Sequence, residues 1–244
     1  MKRNSILLLI ILLSNIIYAQ TEKTTTQQRM FWARYYNLLS LNKNWSIHSE
    51  IENRIFTDPQ TKESSVDVQF SGKYKFNEQL EVGAGWVYFL YPVDIPETDD
   101  KFYVGEQRLK QEIIYKINRN SFTVNNRLQL DERWLQNSNK LGLTSGNIFN
   151  LRLRYRFQLE YFIWKNNTKY LKAIANDEIM YNLNRKSGNT YFEQNRYYIA
   201  AQTGFNKSLS LEVGYMNSYQ LRPNGYQFLD RDIIRVTLLQ RLKI

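Results

Sequence analysis

Past its first nineteen residues the chain holds no apolar run approaching the ~20 residues a membrane-crossing helix needs, yet it alternates oily and polar residues again and again. Residues 66–76, VDVQFSGKYKF, set the pattern. Val66, Val68, Phe70, Gly72, Tyr74 and Phe76 fall on one side, and Asp67, Gln69, Ser71, Lys73 and Lys75 on the other. Side chains of a strand project alternately to opposite faces, so a period of two predicts a strand with one face that avoids water. The cleanest case is 149–159, where Phe149, Leu151, Leu153, Tyr155, Phe157 and Leu159 oppose Arg152, Arg154, Arg156 and Gln158. Eleven such segments are visible, at 30–41, 45–56, 66–76, 80–91, 103–117, 122–130, 149–159, 170–183, 191–205, 209–219 and 230–244.

The connections between them alternate in length. Short ones at 42–44, 77–78, 118–120, 166–167 and 206–207 are built on Asn, which tolerates the left-handed backbone of tight hairpins. Longer ones at 57–64, 92–101, 135–146, 184–190 and 220–229 carry Pro59, Pro92, Pro96 and Pro223, so no proline is expected within a strand. Short turns on one rim and longer loops on the other are the habit of outer-membrane barrels, whose turns face the periplasm. The expected fold is all-β, a single antiparallel up-and-down transmembrane β-barrel. Bacterial barrels have an even strand number with both termini periplasmic. The polar stretch 21–29 is therefore expected to add a twelfth strand, or else to thread the lumen; ten strands is the next choice. Aromatic girdles are expected near the turns (Trp45, Phe76, Phe122, Trp164, Tyr170, Phe205) and near the loops (Phe56, Tyr88, Tyr91, Tyr103, Trp134, Phe149, Tyr181, Tyr219).

The front of the chain agrees with export. Lys2 and Arg3 precede an apolar run over 6–13, and a small residue, Ala19, ends the segment. This predicts a signal peptide over 1–19, cleaved after Ala19, and a barrel domain over 20–244. Losing Lys2 and Arg3 takes the 33 Lys and Arg to 31 against 23 acids, a charge of +8. Exported cations scattered at alternate positions argue against nucleic acid as a partner. The chain has no cysteine, so neither a lipid-modified N-terminus nor a disulfide is available. The competing architecture is a soluble exported β-sandwich or lipocalin-like binding protein with the oily face inward. A barrel of about twelve strands is too wide for side chains to fill, which disfavours an oily interior. A sandwich would keep edge strands and needs no short-long rhythm.

The motifs Trp32-Ala33-Arg34-Tyr35, Trp45-Ser46-Ile47, Leu151 through Arg156, Asn195-Arg196-Tyr197 and Gly214-Tyr215-Met216-Asn217 resemble the bacterial family catalogued as domain of unknown function 2490. The resemblance implies an outer-membrane β-barrel of Gram-negative cells with no assigned activity, and transfers no site.

With oily faces on lipid, the charged faces line the lumen: Glu50, Glu52, Arg54, Glu106, Arg108, Lys110, Glu112, Arg127, Asp131, Arg133, Arg152, Arg154, Arg156, Glu160, Glu178, Arg196, Glu212, Arg235 and Arg241. The Arg152/Arg154/Arg156 ladder could draw anions into a pore. A salt-bridge network with acids on flanking strands is the preferred reading, because desolvated cations need partners. Catalysis would rest on His48, the one histidine, as base in a lipid hydrolase. Ser49 faces away from it, and a nucleophile must lie within hydrogen-bond reach of its base. No cofactor or metal signature is present; the loop Pro96-Glu97-Thr98-Asp99-Asp100 reads as a solvated acidic loop rather than a calcium site. A non-catalytic small-solute channel or a structural or docking component is therefore expected. Its immediate partner would be outer-membrane lipid, its insertion would fall to the barrel-assembly machinery, and its loops are free to meet an outside protein.

Overall fold

A computed structural model describes residues 23–187 and 189–244; the signal peptide expected over 1–19 lies outside the described residues. Eleven strands follow one another: β1 (Thr24–Ser40), β2 (Trp45–Asp58), β3 (Lys62–Lys75), β4 (Leu80–Asp94), β5 (Lys101–Arg119), β6 (Phe122–Ser138), β7 (Leu143–Lys165), β8 (Tyr170–Asn182), β9 (Phe192–Gly204), β10 (Leu209–Leu221) and β11 (Gln227–Lys243). Each pairs with its sequence neighbours and β1 pairs with β11, which closes the sheet into a barrel. All eleven alternating segments are strands.

The closure corrects the strand count. Each hairpin reverses chain direction, so the first and last of eleven strands run the same way, and the seam between β1 and β11 is parallel along its whole length, from Thr24 opposite Gln227 to Ser40 opposite Lys243. The barrel is mixed, not purely antiparallel, and has neither twelve nor ten strands. The stretch expected to form a separate strand instead lengthens β1 from Thr24. Its threonines suit a strand, and its backbone groups are paired with residues 227–232 of β11. As a result Thr24, where β1 begins, and Lys243, where β11 ends, stand on opposite rims.

The contrast in loop length also shrinks. The connections on the first rim are 41–44, 76–79, 120–121, 166–169 and 205–208, against 59–61, 95–100, 139–142, 183–191 and 222–226 on the second. Strand takes up part of four of the five expected long loops, Pro92 of β4 included, by continuing past the oily stretch where polar residues on both faces erase the alternation; 184–190 lies wholly within its connection. The Asn turns work differently as well. In Asn42, Asn77, Asn166 and Asn206 the side-chain Oδ1 accepts the backbone N–H groups two and three residues on, at 2.7–2.9 Å. This side-chain turn satisfies two donors without a left-handed backbone; among these five turns only Asn120 has a positive φ, 45°.

The oily faces point outward. Phe70 is 55% exposed and Ile199 61%, while the alternate positions Asp67, Glu106 and Asp131 are 4% exposed or less. Tyr103 and Tyr115 mark the two ends of an exposed apolar stretch of β5 that also carries Leu109 and Ile113. At ~3.4 Å per residue and a tilt of ~40° they stand about 30 Å apart along the axis, close to the height of a lipid-facing band with its girdles. Three expected girdle aromatics turn inward instead. Phe56 packs on the inner cluster of Met30, Trp32, Tyr198, Met216 and Ile233. Tyr91 donates to Glu106, and Tyr170 to Gln202.

Candidate functional site: the charged lumen

The interior encloses a cavity of about 790 Å³ that reaches from Asn118 and Thr123 beside one rim to Gln220 and Arg231 beside the other. Eleven strands make this unavoidable, since about eight already bring side chains together across a barrel. Of the charged residues expected in the lumen, all line this cavity except Glu106 and Glu112, which lie buried against cations that do.

Register converts these rows of charge into pairs. Near the second rim, Glu106 accepts hydrogen bonds from Arg108 Nε at 2.8 Å, from Arg133 Nε at 2.5 Å and from the Tyr91 hydroxyl at 2.8 Å. On the β2 and β3 side, Arg54 bridges Glu52 at 2.7 Å and Asp67 at 3.2 Å while its guanidinium lies 4.2 Å over the Trp32 ring. On β10, Glu212 accepts from the Tyr198 hydroxyl at 2.6 Å and faces Arg235 at 3.4 Å and Arg34 at 3.9 Å. Glu112 sits 3.2 Å from Lys73, 3.7 Å from Lys110 and 3.8 Å from Arg127. Such pairs hold a fold only when both members stay, because removing one strands the other in a poorly solvated place.

The arginine ladder divides. Arg152 is bound by Glu193. Arg154 reaches Glu178 at 2.8 Å and Asp131 at 3.4 Å. For Arg156 there is no ion pair and no hydrogen-bond partner among the described residues, and its Nε is buried. Glu193 is a residue that alternation misplaces. Met180 pairs with Gln194 and Tyr181 with Phe192, so Glu193 is the extra residue of a β-bulge. The bulge turns its carboxylate inward onto Arg133 at 3.1 Å and onto Arg152. Other cavity-lining charges that alternation does carry, yet that were left out of the expected lumen set, are Arg34, Asp67, Lys73, Glu81, Lys116, Lys172 and Arg231.

Charge does not balance inside. Sixteen Lys and Arg line the cavity against eight acids; with Glu106, Glu112 and Glu193, which bridge to those cations, the acids number eleven, and five positive charges remain in excess among the described residues.

His48 stands on the inner face of β2, 3% exposed and stacked on Tyr36 with ring centroids 4.3 Å apart. Nδ1 contacts the Gln69 amide at 2.9 Å and Nε2 faces Glu50 at 3.3 Å. Ser71 is its cross-strand neighbour, but the Ser71 hydroxyl fills the space over Gly85 on the far side. Only Nδ1 has a hydrogen-bond partner among the described residues, Nε2 is buried beside the Glu50 carboxylate without one, and the nearest inward serine on β3 is turned toward β4, a geometry that does not set this hydroxyl on the ring for activation.

Comparisons with known proteins add a family. Searches of the curated proteins and of the solved structures return no match. The profile of the family described as Protein of unknown function (DUF2490) matches residues 30–228, a span that runs from β1 into β11, and the chain belongs to that family.

Proposed function

We propose that the chain spans the outer membrane of a Gram-negative cell as a non-catalytic β-barrel and provides a narrow, cation-lined aqueous passage for small anions. The observation that carries this is the sorting of the two faces: large hydrophobic side chains outside, ionised side chains inside. A soluble protein with this arrangement would leave Trp45, Phe70, Phe76, Ile199 and Trp164 against water, far beyond the apolar patches soluble monomers expose. In lipid the same faces are satisfied, and a closed barrel leaves no unpaired sheet edge. Outer-membrane lipid is then the direct partner, and the barrel-assembly machinery the agent of insertion. The burial of His48 against Tyr36, with the Ser71 hydroxyl turned toward Gly85, favours a structural part for that residue over hydrolysis. The excess of five lumen cations favours anions over cations, as fixed charge does in other pores.

The test has two parts. The protein should fractionate with outer membranes and migrate differently on a gel when boiled. In planar bilayers under a potassium chloride gradient it should give small currents whose reversal potential lies on the chloride side. A monomer freely soluble without detergent would overturn the membrane reading. A membrane-inserted barrel that carries no current would overturn the passage and leave a structural component.

A further inference from the structure

We infer that the row centred on Arg156 is a binding site for a small tetrahedral oxyanion of the phosphate type. The inference deepens the reading of the lumen as an anion passage and rests on its being open to water. Cross-strand register places Arg127 of β6 beside Arg156 of β7, Arg156 beside Glu178 of β8, and Glu178 beside Arg196 of β9. Arg154 reaches into the same row from two residues away on β7.

Four guanidinium groups therefore share one carboxylate. Glu178 gives one oxygen to Arg127 at 2.5 Å and the other to Arg154 at 2.8 Å, with Arg196 at 4.0 Å. Arg156 stands between Arg127 and Glu178 and receives neither oxygen. The next acids touch the row at other members than Arg156: Asp131 accepts from Gln129 at 2.6 Å and from Arg154 at 3.4 Å, and Glu112 lies 3.8 Å from Arg127 but closer to Lys73. The Nε atoms of Arg127, Arg154, Arg156 and Arg196 are all buried without an acceptor among the described residues.

Buried N–H donors without acceptors and an unpaired charge on a half-buried side chain are each unfavourable, and together they mark a place where something belongs. Four cations share Glu178, with Asp131 and Glu112 reaching only Arg154 and Arg127, so the positive charge left over in the row is centred on Arg156. All four arginines border the same cavity, so a solute in it can reach them. Planar guanidinium forks offer paired donors that fit phosphate oxygens. A divalent tetrahedral anion presents enough acceptors for several of these donors and removes most of the excess. Chloride has one centre, and a monocarboxylate only two oxygens.

The experiment uses the full barrel in detergent and inorganic phosphate as the probe, titrated calorimetrically in low-chloride buffer. One phosphate per chain is expected. Arg156→Gln should weaken it at least about tenfold, the loss of one charge-assisted contact. Arg231→Gln is the control. It removes one charge from the same cavity at a residue held by Gln28 and Gln220, with no ion pair among the described residues, and should leave affinity within about twofold. Equal losses in both variants would trace the effect to the general field of the lumen and overturn the site. Absence of phosphate binding in wild type overturns it too, and if bilayer currents persist the passage stands without the site. Phosphate binding in a barrel that carries no current overturns the passage alone. Should Arg156→Gln fail to give the heat-shifted folded form, Arg156→Lys, which keeps charge but loses the fork, decides: affinity reduced several-fold supports the site, and unchanged affinity overturns it.

Discussion

Replacing Glu178 with Gln is the sharpest probe of the lumen network. The carboxylate, buried on β8, is the shared counter-ion of Arg127 at 2.5 Å and Arg154 at 2.8 Å, with Arg196 at 4.0 Å. Each of the two short contacts is charge-assisted and worth ~1.5–3 kcal/mol. Removing one member of a buried ion pair costs ~3–5 kcal/mol, because the other is left uncompensated. Glutamine keeps the shape and one acceptor oxygen, so the expected loss is about 3 kcal/mol, toward the lower end of that range. The measurement is urea unfolding of the barrel refolded into lipid vesicles, followed by tryptophan fluorescence. A second substitution, Arg154→Gln, should cost less in the Glu178→Gln background than alone, by at least ~1 kcal/mol, since the two residues share the interaction. A Glu178→Gln barrel within ~0.5 kcal/mol of wild type, or strictly additive losses, would show that lumen water screens these pairs and that the network does not hold the wall.

Other expectations follow from different parts of the barrel. Ile199→Arg, at the middle of the outer face of β9 where the side chain is 61% exposed, should cost ~2–4 kcal/mol in vesicles and deplete the heat-shifted form; a change under ~0.5 kcal/mol, as on a water-exposed surface, contradicts lipid at that face. Gly214→Ala would place a methyl group 2.5 Å from the Tyr198 ring. It should push the ring off β10 and break its hydrogen bond to Glu212, with a loss of ~1–3 kcal/mol in the same unfolding assay, and wild-type stability would mean that the ring is not seated there. Because β1 and β11 run parallel, a peptide tag placed just before Thr24 should be labelled on intact cells and one after Ile244 only once the outer membrane is opened. Labelling of both from the same side would contradict the parallel seam.

The period of two in the sequence carried a good deal of the fold. It located all eleven strands, and it assigned Phe70, Leu109 and Ile234 to one side and Arg108, Arg127 and Arg152 to the other, because a strand fixes alternate side chains on opposite faces by local geometry alone. It was weakest where both faces are alike. On β4 the inward Val87 and Phe89 are as apolar as the outward Trp86 and Tyr88, so the lumen's aromatic seats for Arg54 and Arg108 were not visible. The polar ends of β1, β6 and β7 were read as separate strand or loop for the same reason, since backbone pairing continues there without an apolar face to announce it.

What the sequence settled by itself was the number of alternating segments, the side on which each residue falls and the Asn turns of one rim, all of which depend on neighbours within a few positions. Closure by a parallel β1–β11 seam, the inward turn of Glu193 at a bulge, and the isolation of Arg156 beside a carboxylate already claimed by Arg127 and Arg154 were decided only in three dimensions. Alternation says which face a charge occupies but carries no information on strand register, and it is register between residues far apart in the chain that chooses which charge stands beside which.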